Sequence, residues 1–201
     1  MSRTILLSTA YLPPVEYFAR MRGCEDVRIE REENYKKQTF RNRCYILASD
    51  GRQLLTVPVF LGSFHKTSIK DIRIDYSKRW QQVHRGALIS SYNASPFFIH
   101  YFEILEKIIF KNHKFLLDLN MELLEAILGF LKLDVRISYT SMFSPEDHNI
   151  NDLRYKINPK KDSGYKPGEY IQVFSHAESF IPGLSIVDLL FNTGPDAVNR
   201  L

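Results

Sequence analysis

The first thirty residues carry the pattern that most restricts the fold. Residues 4–8 form a short apolar run, and Pro13-Pro14 ends it in a position that suits the first turn of a following helix. Spaced apolar residues predict that helix, and residues 27–30 alternate as a strand does. A strand–helix–strand unit of this length predicts a right-handed crossover between parallel strands. The chain therefore begins as an α/β protein.

A β-hairpin is predicted next. Residues 44–47 and 54–57 flank Asp50-Gly51, a dipeptide favoured in tight hairpin turns because both central residues take positive φ. Further helices are predicted over residues 77–88, 97–110 and 115–131, and further strands over residues 68–75, 135–139 and 170–174. The prediction is one α/β domain spanning residues 1–201, with a mixed β-sheet, a β-hairpin and helices packed on it.

Composition and charge exclude several classes of protein. An apolar share of 44% and a charged share of 25% indicate a globular chain, not a disordered one. Twenty-seven basic and 23 acidic side chains leave a net charge of +4, which suits a phosphate-bearing ligand. Because no recognised binding motif accompanies this small charge, we expect no nucleic-acid partner. No apolar stretch approaches about 18 residues, so we expect no membrane span.

The cysteines and the motifs that the sequence lacks bear on compartment and cofactors. Cys24 and Cys44 lie 20 residues apart without metal-ligand spacing, and no export signal is recognised. We therefore expect free thiols in a reducing cytoplasm. The sequence shows no paired Cys/His set, P-loop or glycine-rich dinucleotide fingerprint, so we expect no metal and no cofactor.

The first candidate site lies where the first strand gives way to the first helix. Ligands of open α/β sheets collect at the carboxyl ends of strands. Tyr11 and Tyr17, at this point, suit stacking on a ring or donating hydrogen bonds. The alternative is that Pro13-Pro14 merely ends the strand while the tyrosines pack.

A basic, amide-rich segment, residues 33–43, precedes the hairpin. It holds four cations, two asparagines, a glutamine and two aromatic residues. Arginine grips a phosphate or carboxylate with two parallel hydrogen bonds, and an aromatic ring stacks on a base or sugar. We predict that Arg41, Arg43 and Lys37 hold an anionic group and that Asn42 and Tyr35 complete the ligand contact. The alternative is a solvated basic loop.

Trp80 and His84 form the third candidate. They are four residues apart on a predicted helix, so they share its apolar face with Val83, and His84 points towards the core or a pocket. An unperturbed histidine has a pKa of about 6.5, near working pH, which makes His84 the best candidate for a general base. A lone inward histidine is more often a satisfied core residue, and the sequence leaves both interpretations open.

Residues 185–192 predict a short helix with a polar pair. Ser185, followed three residues later by Asp188, resembles a capping box, and capping alone explains Ser185. Asp188 and Asn192 share one face amid apolar residues, so they need partners such as the arginines of the basic segment or a ligand amine. Asp188 is the second catalytic candidate and Asn192 a ligand-binding candidate. The alternative for both is a structural role.

Taken in order along almost the whole chain, these residues resemble the WbqC-like protein family. Two departures stand out. Ser8-Thr9-Ala10 occupies the place of a His-Gln-Pro-type opening in many relatives, and Cys44 that of a repeated asparagine. If the histidine of that opening is catalytic in relatives, this chain has lost it or works differently. The segments that carry the resemblance are Tyr11-Leu12-Pro13 with Tyr17-Phe18, Arg41-Asn42-Arg43, Leu55-Thr56-Val57-Pro58, Trp80 with His84, and residues 185–192.

The resemblance implies a bacterial protein associated with surface-polysaccharide (O-antigen) gene clusters. We therefore predict a transferase that moves a small acyl or aminoacyl group onto an activated sugar, with a phosphorylated or nucleotide-linked small molecule as its ligand. In this hypothesis His84 is the base, Asp188 and Asn192 orient groups, and Tyr11 and Tyr35 stack. The alternative is a non-catalytic module of the same pathway that binds a sugar nucleotide or a partner enzyme.

Overall fold

The computed structural model describes residues 4–60, 66–145, 150–174 and 180–201. In chain order the strands are β1 (Thr4–Ser8), β2 (Asp26–Glu30), β3 (Arg43–Ala48), β4 (Gly51–Thr56), β5 (Arg136–Tyr139) and β6 (Asn151–Asp152). The helices are α1 (Val15–Met21), α2 (Trp80–Tyr92), α3 (Phe98–Ile109), α4 (Leu116–Leu131) and α5 (Ile186–Thr193). Short 3-10 helices occupy Phe40–Asn42, Ile69–Asp71 and Gly194–Arg200.

A parallel sheet with the strand order β5-β2-β1-β6 forms the centre of the fold. β1 and β2 pair in parallel, with Ile5 opposite Val27, and α1 makes the crossover between them. Leu6 and Leu7 point to opposite faces of β1, and both are buried, so both faces of the sheet are covered. The predicted strand–helix–strand unit is confirmed.

β3 and β4 form the predicted antiparallel hairpin, as a two-stranded sheet of their own. Ala48 pairs with Gly51, so the turn consists of Ser49 and Asp50 and not of Asp50-Gly51. Gly51 takes a φ of +113°, which glycine adopts without strain because it has no Cβ. The predicted α/β class, with parallel strands, a hairpin and helices packed on them in one domain, is confirmed.

Three details of the sequence prediction are wrong. Residues 68–75 hold a 3-10 turn instead of a strand, because Ile69 and Ile72, three residues apart, are both buried. Residues 170–174 form no strand, and residues 173–174 lie in a turn. Val83, which was expected on the buried face of α2, is 62% exposed, while Gln81 is buried instead.

Main-chain hydrogen bonds tie α5 to the turn between β1 and α1. The Ser185 N–H donates to the Tyr45 carbonyl at 2.8 Å, and the Ile186 N–H donates to the Pro13 carbonyl at 2.8 Å. α5 also packs against α1, α3 and β3, and one hydrophobic core runs through the sheet and the helices. The C-terminal motif, the hairpin and the first turn therefore meet in one region.

Both cysteines are buried, and no disulfide joins them. Burial raises the pKa of the Cys44 thiol, so this sulfur stays protonated and is a poor nucleophile at neutral pH. Within the ranges given above, no helix combines the length and the apolar character needed to cross a membrane.

Candidate functional site

Tyr11 stands in the turn that follows β1. Its N–H donates to the Phe40 carbonyl at 2.9 Å, which holds the turn against the basic segment. Its side chain is fully buried, packs edge-on against Trp80, and places its hydroxyl 2.9 Å from Nδ1 of His84. The structure thus joins the first and third candidate sites, but it leaves the Tyr11 ring no exposed face on which a ligand could stack.

Both ring nitrogens of His84 are engaged inside the protein. The imidazole bonds the main-chain carbonyl of Thr56, and because a carbonyl only accepts, the nitrogen facing it carries the proton. Nδ1 then accepts a hydrogen bond from the Tyr11 hydroxyl. Burial lowers the pKa of His84 to about 4, and the Thr56 carbonyl opposes only part of this shift. The ring is therefore neutral at neutral pH.

His84 contributes to the wall of a cavity of about 380 Å³ between β4 and the start of α2, which we name the hairpin–helix cavity. Most of its surface is apolar. Two lining residues, Lys78 and Arg79, are exposed cations, and none of those named below is a carboxylate. The cavity therefore has a positive end. Its lining residues are Gln53, Leu54, Leu55, Thr56, Pro58, Lys78, Arg79, Trp80, Val83 and His84.

The start of α2 leaves hydrogen-bond donors free beside this positive end. α2 begins at Trp80, three residues after the predicted start at residue 77. Arg79 is the N-cap residue, and its side chain makes no capping bond. The first N–H groups of a helix have no partner within the helix. Trp80 is 4% exposed, yet its Nε1 has no hydrogen-bond partner among the residues that the structure describes. The Trp80 indole N–H is therefore an unpaired donor on a residue that lines the cavity.

Arg41 lies buried beneath the carboxyl end of β1, with 3% of its surface exposed. Its Nη2 donates to both carboxylate oxygens of Glu33 at 2.6 Å and to Ser8 Oγ at 2.6 Å, and its Nε donates to Glu33 at 2.9 Å. Glu33 is 1% exposed. The donors that were expected to hold an anionic ligand are therefore directed at a carboxylate of the protein itself.

Arg154 extends this buried cluster. Its Nη1 donates to Glu30 at 2.8 Å, and its Nε and Nη2 donate to Asp152 at 3.0 and 2.5 Å. Among the described residues, two guanidinium groups thus face three carboxylates, and the charge of Lys156 also acts on Asp152. The guanidinium donors are therefore directed at carboxylates of the protein itself. We name this cluster the edge ion network; its members are Ser8, Glu30, Glu33, Arg41, Asp152 and Arg154.

The other candidates of the basic segment lie in different environments. Lys37 is exposed, and Tyr35 is half-buried against the core, where burial raises its pKa. Asn42 is buried, and its Nδ2 donates to the carbonyl of Val57 at 2.8 Å. Arg43 is half-buried, and its Nε has no partner in the described part of the chain. Arg43 also pairs across the hairpin with Thr56, a lining residue of the hairpin–helix cavity.

Asp188 is fully buried in a cluster of its own. Its carboxylate accepts hydrogen bonds from Tyr92 Oη at 2.9 Å, from Tyr170 Oη at 2.5 Å and from Gln172 Nε2 at 3.1 Å. Burial raises the pKa of Asp188 by more than these hydrogen bonds lower it. Tyr92 lies eight residues beyond His84 on α2, which is about 12 Å of helix. The two catalytic candidates therefore belong to separate clusters.

Asn192 and Ser185 are engaged in hydrogen bonds with the main chain. Asn192 Nδ2 donates to the Asp188 carbonyl at 2.7 Å. Ser185 Oγ accepts from the Val187 N–H at 3.4 Å and donates to the Leu12 carbonyl at 2.7 Å. Ser185 is thus the predicted N-cap of α5. The Asp188 carboxylate does not complete a capping box, because it faces the tyrosine cluster.

A second cavity, which we name the edge cavity, has a volume of about 230 Å³ and opens at the start of α1. Residues 158–167, which we name the polar segment, supply one of its walls. The lining of the edge cavity contains two cations and two carboxylates. Its lining residues are Pro14, Val15, Glu16, Phe40, Arg52, Asn158, Pro159, Lys161, Asp162, Ser163, Tyr165, Pro167, Pro182 and Gly183.

Comparison with known proteins identifies the family. The family model described as the WbqC-like protein family matches residues 9–163, more than half of the chain. The chain belongs to the WbqC-like family. It is similar to the uncharacterised protein Rv1507c of Mycobacterium tuberculosis, with 28% identity over an alignment that covers 100% of this chain and 98% of that protein. No solved structure matches the chain.

In this WbqC-like protein, two of the segments that carry the resemblance meet at the hairpin–helix cavity. Residues 55–58 and 80–84 both line it, although they are separate in sequence. Lys78 and Arg79 were missed as candidates, although two consecutive cations directly before Trp-x-x-x-His were a visible signal. Among the described residues, no group of His, Cys, Asp or Glu side chains is arranged to hold a metal ion.

Proposed function

We propose that this WbqC-like protein binds a phosphorylated or nucleotide-linked sugar in the hairpin–helix cavity. One observation carries the proposal: residues 55–58 and 80–84, from two segments that resemble the family, line the same cavity. We further propose that it serves bacterial surface-polysaccharide (O-antigen) biosynthesis, the pathway implied by the family resemblance. We also propose a cytoplasmic location, which fits the lack of a disulfide between Cys24 and Cys44.

The positive end of the cavity supports an anionic group on the ligand. Lys78 and Arg79 are exposed, and the lining residues named above include no carboxylate. Asp75, which is not one of them, interacts with Lys78 through its charge. The start of α2 carries a partial positive charge and free N–H groups, and the Trp80 indole N–H adds a further donor. A phosphate or diphosphate at this end accepts hydrogen bonds from donors that the protein itself leaves unused.

The rest of the cavity wall is mostly apolar. It favours a ligand in which the anionic group is attached to a flat, weakly polar ring. Leu54 and Val83 are large apolar residues, yet 43% and 62% of their surfaces are exposed. Exposed apolar surface of this kind marks a binding site when it adjoins polar groups. The volume of about 380 Å³ lies within the range of small-molecule sites, about 300–1,000 Å³. A sugar ring or a base fits such a wall.

Among the residues predicted from the sequence, we assign Arg43 to this ligand as well. Its register partner Thr56 lines the cavity, and the Arg43 Nε has no partner in the described part of the chain. Tyr11 acts indirectly, by holding the His84 ring. The donors of Arg41 are already directed at Glu33, so we assign Arg41 a structural role.

The geometry supports a non-catalytic binding module better than a transferase. A general base needs an atom within hydrogen-bond reach of the substrate proton that it abstracts. Both nitrogens of His84 bond Thr56 and Tyr11, and Asp188 is fully buried in a different cluster. The cavity therefore offers binding groups without a free proton acceptor of the predicted kind.

A transferase of small acyl or aminoacyl groups is the second candidate, and one observation favours it. His84 lines the cavity near the proposed anion, and its pKa of about 4 keeps it neutral at neutral pH. That is the protonation state required of a base. In this function, ligand binding shifts the imidazole so that one nitrogen faces the acceptor hydroxyl.

Intrinsic fluorescence tests the binding site directly, because Trp80 is the single tryptophan of the chain. We expect nucleoside diphosphate sugars or sugar phosphates to change its emission and uncharged sugars to leave it unchanged. Lys78→Ala, Arg79→Ala and Arg43→Ala should each weaken binding about tenfold, the loss of one charged hydrogen bond. Lys107→Ala, a surface change on α3, is the matched control and should have no effect. Emission that no phosphorylated sugar alters would refute the proposal.

A turnover assay separates the two candidate functions. The protein is incubated with sugar nucleotides and a panel of acyl and aminoacyl donors, and products are followed by mass spectrometry. The binding module predicts no product in any mixture. The transferase predicts a product that His84→Gln abolishes while the fluorescence titration of the sugar nucleotide stays unchanged.

A further inference from the structure

The edge cavity differs from the hairpin–helix cavity in position and in charge. The two share no lining residue. Pro14 and Val15, which follow β1, place the edge cavity near the carboxyl end of that strand, where α/β sheets bind their ligands. The edge cavity is therefore a separate candidate site in the position that the fold itself favours.

Charges of both signs meet in the edge cavity. Arg52 and Lys161 contribute two cations, and Glu16 and Asp162 contribute two carboxylates. Arg20 pairs with Glu16 at 2.9 Å. An anionic ligand would meet Asp162 and the Arg20-paired Glu16 at close range. A neutral ligand with several hydroxyl groups can donate to the carboxylates and accept from the cations, so it is favoured over a phosphate.

The remaining surface of the edge cavity combines flat apolar faces with a free hydroxyl. Phe40 and Tyr165 contribute aromatic rings, and four prolines add further apolar surface. The Tyr165 hydroxyl is buried and has no hydrogen-bond partner among the described residues. An aromatic side chain with an apolar body and a polar tip contacts both the C–H face and the hydroxyl groups of a sugar ring.

The walls of the edge cavity are already held in place. Ser163 Oγ donates to the Glu16 carboxylate at 2.6 Å, which joins the polar segment to α1. The Gly164 N–H donates to Asp162 at 2.8 Å, and Arg52 donates to the Gly183 carbonyl at 3.2 Å. A site that is largely formed in advance loses less entropy when a ligand binds.

We infer that the edge cavity binds an uncharged, polyhydroxylated ligand, a mono- or disaccharide. The inference does not depend on the anionic ligand proposed for the hairpin–helix cavity. Together the two sites would let the protein hold a sugar nucleotide and an uncharged saccharide at once.

Titration with methyl glycosides of glucose, galactose, mannose and N-acetylglucosamine tests this inference. We expect saturable amide shifts in ¹H–¹⁵N spectra at residues 15–16 and 160–165, with Kd values of about 1 mM. Trp80 emission should stay constant, because Trp80 lies in the other cavity. Tyr165→Phe, which removes only the hydroxyl, should weaken binding about 3- to 10-fold, as the loss of one neutral hydrogen bond does. Tyr101→Phe, on α3, is the matched control.

The outcomes separate this inference from the proposed function. Absence of shifts at the edge cavity with every glycoside overturns the inference, even if sugar nucleotides still change Trp80 emission. Equal affinities for Tyr165→Phe and Tyr101→Phe also overturn it. A third outcome combines amide shifts at the edge cavity with glycosides and Trp80 emission that no sugar nucleotide changes. This outcome supports the inference and refutes the proposed function. Binding of phosphate alone at the edge cavity, displaced by no glycoside, contradicts the charge argument and overturns the inference.

Discussion

The edge ion network and the hairpin–helix cavity use the same kind of charge in opposite ways. In the edge ion network, Arg41 and Arg154 are buried, and each is bonded to carboxylates of the protein. In the hairpin–helix cavity, Lys78 and Arg79 are exposed, and no carboxylate accompanies them among the described lining residues. In the edge ion network the arginine donors bond carboxylates of the protein. In the hairpin–helix cavity the cations remain available to a ligand.

This difference shows why a basic segment alone does not locate a binding site. A buried ion must be paired, because removing it from water costs several kcal/mol. Arg41 therefore needs Glu33, and the pair stabilises the fold instead of holding a ligand. An exposed cation at the rim of an apolar cavity has no such requirement. Its charge remains available, although each exposed contact is worth less.

The largest effect is expected from breaking the edge ion network. Arg41→Ala should lower the free energy of unfolding by about 3–5 kcal/mol, because the buried Glu33 carboxylate loses its partner. Urea unfolding measures the change. The double variant Arg41→Met with Glu33→Gln should recover part of the loss, since no buried charge then remains unpaired. A single-variant loss below about 1 kcal/mol, the size of a surface pair, would contradict the comparison.

The next largest effect is expected from lowering the pH, because His84 is a buried titratable group in the wall of the hairpin–helix cavity. Its pKa is about 4 in the folded protein and about 6.5 in the unfolded chain. The folded state binds the proton less readily, so stability is full above pH 6.5 and is lost as the pH falls towards 4. Over that interval the wild type should lose roughly 3 kcal/mol more than His84→Gln. Parallel unfolding curves for both proteins would refute the neutral, buried ring.

Asp188 provides a third, smaller test, in a buried cluster whose described donors to the carboxylate are uncharged. Asp188→Asn should cost about 1–3 kcal/mol, because the three donors from Tyr92, Tyr170 and Gln172 lose part of their acceptor. The folded state raises the pKa of this carboxyl. Its contribution to stability is therefore greatest below the unfolded pKa, about 4, and is lost as the pH rises through the folded value. Unfolding measured across that range should show a pH dependence opposite to that of His84, and the variant should lack it.

The smallest effect is expected from salt, and it separates the two regions most cleanly. Raising ionic strength from about 0.05 M to about 0.5 M should weaken sugar-nucleotide binding several-fold, because it screens the exposed Lys78 and Arg79. The stability loss of Arg41→Ala should stay the same, since buried pairs are screened little. Fluorescence titration and urea unfolding in the same two buffers provide the measurements. Salt-independent ligand binding would mean that the exposed cations do not contact the anion.

Local elements were predictable where the signal was local. The apolar runs of β1 and β2 and the intervening helix α1 follow from residue spacing alone. The hairpin was predicted from a glycine between two apolar runs, and it is present. The turn lies one residue earlier than predicted, and the positive φ belongs to Gly51, which follows the turn. The strand expected at residues 68–75 failed because two isoleucines three residues apart fit a 3-10 turn as well as a strand.

The sequence identified several buried polar residues of the candidate sites, but it did not identify their hydrogen-bond partners. Trp80 and His84 were placed on one helix face from their spacing, and they do share a buried face. The sequence did not reveal that the hydroxyl of Tyr11, 73 residues away, would form a hydrogen bond with Nδ1 of His84. It also did not reveal that Asp188 would face two tyrosines and a glutamine instead of an arginine.

By itself, the amino-acid sequence determined the α/β class, the cap of α5 and the resemblance that the family match confirmed. These properties depend on neighbours within a few positions or on the order of motifs along the chain. Only the tertiary structure decided which charges are neutralised and which cavities they border. Pairing and burial depend on contacts between distant segments, and those contacts made Arg41 a structural residue and left Lys78 and Arg79 free to bind.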